Sequence, residues 1–210
     1  MKIFKSVEQF IKSKIEIKSF VPTMGNLHKG HLSLIDKAKK ISGPICVTIY
    51  INEAQFTEKN DFEEYPISLE SDIDNLRSKE VDYLLIPKKI DIEKFSKAFN
   101  KEDEPRNLTT DLCGKYRPNY FPGVADIIIR LFSIINPDKS YFGKKDYQQY
   151  IFIKILLKKL GFKSKVISSK TIREKSGLAM SSRNQYLSIE EMKIANKLYK
   201  FLKLTKKDIN

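Results

Sequence analysis

Apolar residues along this chain alternate between the spacing of β-strands and the spacing of amphipathic helices. Strand spacing covers residues 17–21, 45–51, 83–86, 140–142 and 166–167. Helical spacing covers residues 7–11, 32–42, 69–76, 124–135, 146–160 and 189–204. Strands that alternate with helices in this way predict an α/β fold, with a parallel sheet, right-handed crossovers and helices on both faces.

Local signals mark where several of these elements begin and end. Ser6 with Gln9 and Ser188 with Glu191 have the spacing of capping boxes, and Ser68 is an expected N-cap. Pro22 is expected to end the first strand. Ligands of parallel sheets bind beyond the carboxyl ends of the strands, so functional residues are expected in the loops after positions 21, 51, 142 and 167.

Composition narrows the classes of protein. A chain of 210 residues with 41% hydrophobic residues can bury the core of one large domain, or of one domain with part of a second. The net charge of +13 favours anionic partners. Only six of the cations are Arg and the Lys are scattered, so a nucleic-acid partner is not expected. The chain shows no signal peptide, no membrane span and no set of Cys for disulfides or zinc, which predicts a cytoplasmic protein without a membrane partner.

Both histidines of the chain lie in one loop, Pro22-Thr23-Met24-Gly25-Asn26-Leu27-His28-Lys29-Gly30-His31. The loop runs straight into a helix, whose N-terminus offers free N–H groups and the positive end of the helix dipole. Two imidazoles added to such a helix end favour a triphosphate as the ligand. A metal site is the weaker alternative, because this stretch contains no carboxylate or Cys to join the histidines.

A second loop combines two hydroxyl groups with a guanidinium, in the stretch Gly177-Leu178-Ala179-Met180-Ser181-Ser182-Arg183-Asn184. These groups can form a phosphate clamp, since Arg gives forked hydrogen bonds. Taken alone, the stretch is better explained as a solvated loop. Together with the histidine loop at the same end of a sheet, it indicates a nucleotide site.

Five ordered stretches resemble a known family. His28-Lys29-Gly30-His31 and Met180-Ser181-Ser182-Arg183 resemble the two signatures of the HIGH-type nucleotidyltransferase superfamily. More narrowly, PTMGNLHKGHLSLI, YINEAQFTEKNDFEEYP, RPNYFPGV, PDKSYFGKKDYQQ and GLAMSSRNQYLS are similar in order and spacing to the pantoate–β-alanine ligase family. The resemblance runs from about position 22 to 187. It implies a Rossmann-like catalytic domain over residues 1–187 that uses ATP and Mg²⁺, takes pantoate and β-alanine as substrates, and forms a homodimer.

The resemblance also implies roles for individual residues. His28, His31, Lys145, Ser181, Ser182 and Arg183 would be catalytic, with His31 as an acid. The expected ATP site contains these residues together with Met24, Gly25, Asn26, Leu27, Lys29, Gly30, Gly143, Lys144, Asp146, Ile172 and Met180. Pro22, Asn52, Gln55 and Gln149 would bind pantoate, because primary amides supply both donors and acceptors. Asp72 is the candidate ligand for magnesium, which needs about one carboxylate beside phosphates and water.

Four features depart from the family pattern. Glu53-Ala54 stands where a Pro-Thr or similar pair is usual, and Lys144 replaces an acidic residue. Asn119-Tyr120 replaces a usual Gly-His pair, so the role of that His cannot be transferred. Residues 188–210 are expected to be the start of a truncated C-terminal lid domain. We therefore expect weaker ATP binding and slower turnover, because water would be less well excluded.

Two other functions remain open from the residues. Another HIGH-type adenylyltransferase would share the histidine loop, although not the Asn52/Gln55 and Gln148/Gln149 pairs. A catalytically weak relative that binds nucleotide or RNA would share the basic charge. Release of pyrophosphate from ATP that depends on pantoate separates these functions.

Overall fold

A six-stranded parallel sheet forms the centre of the molecule, in a computed structural model that describes residues 1–209. The strands are β1 Lys2–Phe4, β2 Ser19–Thr23, β3 Ile45–Ile49, β4 Tyr83–Leu85, β5 Lys139–Gly143 and β6 Lys165–Ser169. Their order is β1-β4-β3-β2-β5-β6, and the five neighbouring pairs are all parallel. The predicted parallel α/β fold is therefore confirmed.

Helices cover both faces of this sheet. They are α1 Val7–Lys12, α2 Lys29–Ala38, α3 Lys59–Glu63, α4 Leu69–Ser78, α5 Lys89–Phe95, α6 Cys113–Tyr116, α7 Tyr120–Ile135, α8 Tyr147–Lys159 and α9 Ile189–Ile209. Phe20 belongs to a hydrophobic cluster that includes residues of α1, α7 and α8, whereas its neighbour Val21 belongs to a cluster with α2 and α4. Successive side chains of a strand point to opposite faces, so one strand serves both cores.

The sequence had predicted that Pro22 ends the strand at residues 17–21, and this prediction is wrong. Pro22 lies within β2 and pairs in register with Thr48 of β3. Pairing of β2 with β5 covers only Ser19 and Phe20, so the N–H that proline lacks is not needed on that side. The strand therefore continues to Thr23 and carries the following loop further towards the end of the sheet.

Other differences arise where the hydrophobic pattern is short or interrupted. β1 has three residues and was not predicted; it pairs with β4 at the edge of the sheet. α5 was also missed. α7 begins at Tyr120 rather than 124, and it ends as expected at Asn136, whose φ of 45° is left-handed. Both predicted capping positions at Ser6 and Ser188 hold a helix start.

No helix within residues 1–209 combines the length and the hydrophobicity needed to cross a bilayer.

Candidate active site

A cleft opens at the carboxyl ends of β2, β3, β5 and β6. After β2 the chain adds β3 and β4 on one side of this strand, whereas β5 and β6 lie on its other side. Such a reversal of strand order leaves a crevice between the loops that follow β2 and β5. Of the residues predicted for the site, those that line the cleft are Pro22, Met24, His28, Gly30, His31, Asn52, Gln55, Gly143, Lys145, Asp146, Gln149, Ile172, Met180, Ser181, Ser182 and Arg183. Gly25, Asn26, Leu27, Lys29, Lys144 and Asp72 are not among the lining residues.

The histidine loop is shaped by hydrogen bonds within its own turn. His28 is the N-cap of α2, and its Nδ1 accepts the Gly30 N–H at 3.0 Å. The Nδ1 of His31 accepts the His28 N–H at 3.3 Å, which completes a reciprocal capping box. The two rings lie 4.1 Å apart between centroids. Gly30 has no space for a side chain, since a Cβ there would lie 2.7 Å from the His28 ring.

These bonds determine the protonation of both imidazoles. A nitrogen that accepts a backbone N–H carries no proton, so each ring is a neutral Nε2–H tautomer. Burial, the neighbouring His28 and Lys145 lower the pKa of His31 to about 3. Burial and Lys145 also lower the pKa of His28. The pair is therefore suited to donate hydrogen bonds from Nε2, and the role of His31 as an acid stays a prediction.

Asp72 holds the histidine loop from below. Its side chain is 1% exposed, and its two oxygens accept the backbone N–H groups of Asn26 at 2.8 Å and of Leu27 at 2.7 Å. Ser68 occupies the predicted N-cap position of α4, but its Oγ donates to the Asp72 carboxylate at 3.2 Å and makes no cap hydrogen bond. Both oxygens are engaged with protein donors outside the cleft, so the structure gives Asp72 an anchoring position and does not support the predicted magnesium ligand.

The two predicted phosphate loops meet directly. Ser182 Oγ donates to the carbonyl oxygen of Asn26 at 3.2 Å, across 156 positions of sequence. Met180 is 8% exposed, and its Cβ would lie 3.8 Å from a Cβ at Gly30. Ser181 accepts the Arg183 N–H and starts a 3₁₀ turn, Ser182–Tyr186. The hydroxyl groups and the imidazoles therefore border one cleft.

Arg183 is held by a partner that the sequence did not reveal. Its Nε and one terminal nitrogen donate to the two oxygens of Asp61 in α3, at 2.8 and 2.7 Å. Its guanidinium also lies over the rings of Phe56 and Tyr65. These contacts fix the plane of the guanidinium and leave its second terminal nitrogen for a ligand in the cleft.

Further cations and backbone groups border the same cleft. Lys145 and Asp146 lie in the 3₁₀ turn Lys144–Asp146 that follows β5. Ile172 lies after β6, beside Lys170 and Thr171, which the sequence did not single out. The positive charge of Lys145 adds to burial in lowering the pKa values of both histidines. This part of the cleft combines a helix N-terminus with cations, which suits an anion.

The other end of the cleft carries amides and a phenol. Asn52 is buried and donates to the Gly123 carbonyl at 3.0 Å, so it positions the turn that carries Gln55. Gln149 lies in the first turn of α8 and faces the cleft. Its neighbour Gln148 instead bonds the backbone of residues 108, 111 and 113, and so holds the adjacent loop. The two consecutive glutamines therefore have different surroundings.

Several residues that line the cleft were not predicted as site residues. They include Thr23, Tyr50, Tyr65, Arg117, Tyr120, Ile127, Ile128, Leu131, Tyr141, Lys170 and Thr171. The apolar ones follow the helical pattern of α7, and this pattern indicates only that a residue is buried. Arg117 and Tyr120 lie in the stretch that resembles a family motif, which was the available signal for them.

A bound metal would find few protein ligands here. The part of the chain that the structure describes contains no group of three His, Cys, Asp or Glu side chains arranged to hold an ion. Asp72 is occupied by backbone donors, as described above. The donor set therefore does not fit a protein cage for magnesium.

Comparison with known proteins agrees with this geometry. The family model of pantoate-beta-alanine ligase matches residues 2–210. The chain belongs to this family. It is 45% identical to a pantothenate synthetase of Neisseria meningitidis over 88% of this chain, and 39% identical to one of Thermodesulfovibrio yellowstonii over 96% of this chain. The family resemblance predicted from these five stretches is thereby confirmed.

Solved structures of the same family share the fold. A Francisella tularensis pantoate-beta-alanine ligase complexed with beta-gamma ATP and beta-alanine superposes with a TM-score of 0.87 at 38% identity, covering 97% of this chain and 79% of that one. A Thermus thermophilus pantothenate synthetase also gives 0.87, with 36% identity, and it covers 95% of this chain and 72% of that one. The chain spans 66% of the length of the Neisseria relative and 71% of the Thermodesulfovibrio relative.

Proposed function

We propose that this chain condenses pantoate with β-alanine at the expense of ATP, through a pantoyl adenylate. The contact between Ser182 and Asn26 carries the proposal, because it joins the two nucleotide loops of this family at one cleft. The amide-bearing end of the same cleft leaves room for a hydroxy acid beside the nucleotide. The complex of the Francisella relative with beta-gamma ATP and beta-alanine supports the choice of substrates.

In the first step, a carboxylate oxygen of pantoate attacks the α-phosphorus of ATP, and pyrophosphate leaves with the electrons of the broken P–O bond. Negative charge grows on the leaving pyrophosphate, so fixed donors around it lower the barrier. We assign this task to the Nε2–H groups of His28 and His31, to Lys145, and to the free nitrogen of Arg183. Ser181 and Ser182 close the loop over the same phosphates.

In the second step, the amine of β-alanine attacks the carbonyl carbon of the adenylate. AMP leaves with one of the original carboxylate oxygens, and the amine loses a proton to give pantothenate. Asp146 is assigned to the ribose hydroxyl groups and the backbone of Ile172 to adenine. Gln55 and Gln149 are assigned to pantoate. Most of the catalysis is thus positioning and charge stabilisation, which needs little covalent chemistry from the protein.

Magnesium enters this proposal with the nucleotide. The ion keeps several waters and binds phosphate oxygens readily, so it requires few protein ligands. The homodimer and the assignment of residues 188–210 to a second domain stay predictions. Sedimentation of the purified chain measures the first.

The decisive experiment follows oxygen atoms. The purified chain, produced in a host without its own pantothenate synthetase, is given ATP, β-alanine and pantoate labelled with ¹⁸O in its carboxylate. We expect one ¹⁸O in AMP and pantoate-dependent release of pyrophosphate, both read by mass spectrometry. ADP and phosphate as products, or label that stays out of AMP, would contradict the adenylate. Phosphopantetheine and RNA serve as the alternative ligands.

The His31→Ala variant tests whether His31 takes part in the adenylation step. Loss of its Nε2–H should lower the rate of adenylation at least about tenfold, or about 1.4 kcal/mol of transition-state stabilisation. Circular dichroism checks that the variant is folded. An unchanged rate would remove His31 from the proposed chemistry.

A further inference from the structure

The amide end of the cleft contains a network that joins Gln55 and Gln149 through two side chains of the 117–120 segment. The guanidinium of Arg117 donates to the backbone carbonyl oxygen of Gln55 at 3.0 Å and lies over the ring of Tyr120, 3.8 Å from its centroid. The phenol of Tyr120 donates to Oε1 of Gln149. Each residue of this network lines the cleft.

The phenol can act only as the donor in its bond to Gln149. Burial raises the pKa of Tyr120 to about 12, with a further rise from the nearby Asp146, so the phenol keeps its proton at neutral pH. The Oε1 atom of a carboxamide has no proton to give. The hydrogen of the phenol therefore lies between the two oxygens.

This bond decides which end of the Gln149 amide is available to a ligand. A carboxamide has an acceptor end and a donor end, and the acceptor end is taken by Tyr120. The Nε2 group, with its two N–H donors, remains for the cleft. Gln148 cannot replace it, because its own amide is spent on the backbone of residues 108, 111 and 113.

We propose that Tyr120 is a positioning residue, which orients the Gln149 amide so that Nε2 donates to a hydroxyl or carboxylate oxygen of the hydroxy-acid substrate. The inference rests on the proposed function for the identity of that acid. Arg117 contributes by holding the phenol ring, since its guanidinium carbon lies 3.8 Å from the ring centroid and one of its nitrogens donates to the Gln55 backbone. Tyr120 itself need not touch the substrate.

The Tyr120→Phe variant tests this role, because it removes only the hydroxyl group. Without that bond, the Gln149 amide can turn either way, and the loss of one fixed hydrogen bond should raise KM for pantoate about five- to tenfold. We expect kcat and KM for ATP to stay within about twofold of the wild type. Tyr116→Phe is the matched control, because Tyr116 is 74% exposed and does not line the cleft. An unchanged KM for pantoate, or an equal rise for ATP, would overturn the proposal.

A double-mutant cycle separates positioning from direct contact. If Tyr120 acts through Gln149, then adding Tyr120→Phe to Gln149→Ala raises KM for pantoate no further. Additive effects would place the phenol on the substrate and overturn the proposed role.

A second readout does not depend on turnover. The side-chain amide signal of Gln149, identified by its loss in Gln149→Ala, should shift in the ¹H–¹⁵N spectrum of Tyr120→Phe and not in that of Tyr116→Phe. If the wild-type chain does not use pantoate, the proposed function fails, and this signal still decides whether Tyr120 orients the amide. An unshifted signal overturns the inference.

Discussion

Asp72 offers a sharp test of how the histidine loop is held. The Asp72→Asn substitution keeps the size and shape of the side chain but replaces one acceptor oxygen by an NH₂ group. At present the two oxygens accept the N–H groups of Asn26 and Leu27 at 2.8 and 2.7 Å. In the variant, one of these N–H groups faces another donor, and the other keeps a neutral hydrogen bond in place of a charge-assisted one.

The size of the effect follows from these two bonds. A hydrogen bond to a charged group contributes about 1.5–3 kcal/mol, and a buried donor without a partner costs about 1–3 kcal/mol. Since Asp72 is 1% exposed, water cannot easily replace the lost acceptor. We expect the free energy of unfolding to fall by about 2–4 kcal/mol, which is a large part of the roughly 5–15 kcal/mol of an ordinary domain.

Urea unfolding followed by circular dichroism measures this change, since the chain contains no Trp for fluorescence. Asp74→Asn on the same helix is the control. The Asp74 side chain is 77% exposed, and its ion pair with Arg77 is long, at 3.5 Å. Loss of the Asp74 charge should therefore lower the free energy of unfolding by less than about 0.5 kcal/mol. In the folded fraction of Asp72→Asn, KM for ATP should rise, because the loosened loop carries His28.

Two results would refute the anchoring role. One is an unfolding free energy for Asp72→Asn within about 0.5 kcal/mol of that of the wild type. The other is a defect in activity that excess magnesium repairs, with stability unchanged. The second result would return Asp72 to the metal-binding role that the sequence had predicted.

Two further predictions concern the same loop. Gly30→Ala should lower kcat/KM for ATP at least about tenfold, because the new Cβ would lie 2.7 Å from the His28 ring. The free energy of unfolding should change by less than about 1 kcal/mol. A loss of stability with full activity would argue against this prediction. The pKa of His31 is about 3 in the folded chain and 6.5 ordinarily, so between these pH values the imidazole binds a proton only in the unfolded chain. The contribution of the neutral His31 to stability is therefore fully present above pH 6.5 and is lost as the pH falls towards 3. Unfolding between pH 4 and 6 should show a slope up to about 1.4 kcal/mol per pH unit steeper in the wild type than in His31→Gln, and equal slopes would refute the buried neutral imidazole.

The parts of the fold that sequence predicted well are those that bury a continuous pattern. β3 is buried at all five positions, and α7 buries eleven of its sixteen residues, so hydrophobic spacing alone locates both. β1 has one buried residue in three, and its place in the sheet comes from pairing with β4, more than seventy positions away. Such a short strand is stabilised mainly by pairing with its neighbour, and the local sequence pattern does not show that this neighbour is present.

The candidate site divides along similar lines. Loops at the carboxyl ends of parallel strands must come together, and so the histidine loop and the Ser-Ser-Arg loop could be assigned to one cleft from the sequence. The hydrogen-bond partner of each polar side chain could not be predicted from the sequence. Arg183 finds Asp61 across 122 positions, and Asp72 finds backbone donors 45 and 46 positions away. A carboxylate in a sequence does not show whether it will meet a metal, a cation or an N–H group.

The same reasoning explains why Tyr120 matters where the family pattern changes. A residue that departs from a motif can be read as a loss when only the motif is considered. Here the phenol reaches Gln149, and Arg117, which lies over the ring of Tyr120, connects it to the backbone of Gln55, so position 120 joins both sides of the amide end. The chemistry of this end therefore depends on which group of each amide is left unpaired after the protein's own hydrogen bonds are made. Residue type alone cannot give that information, because Gln148 and Gln149 are identical in type and adjacent in sequence, yet one holds a loop and the other faces the cleft.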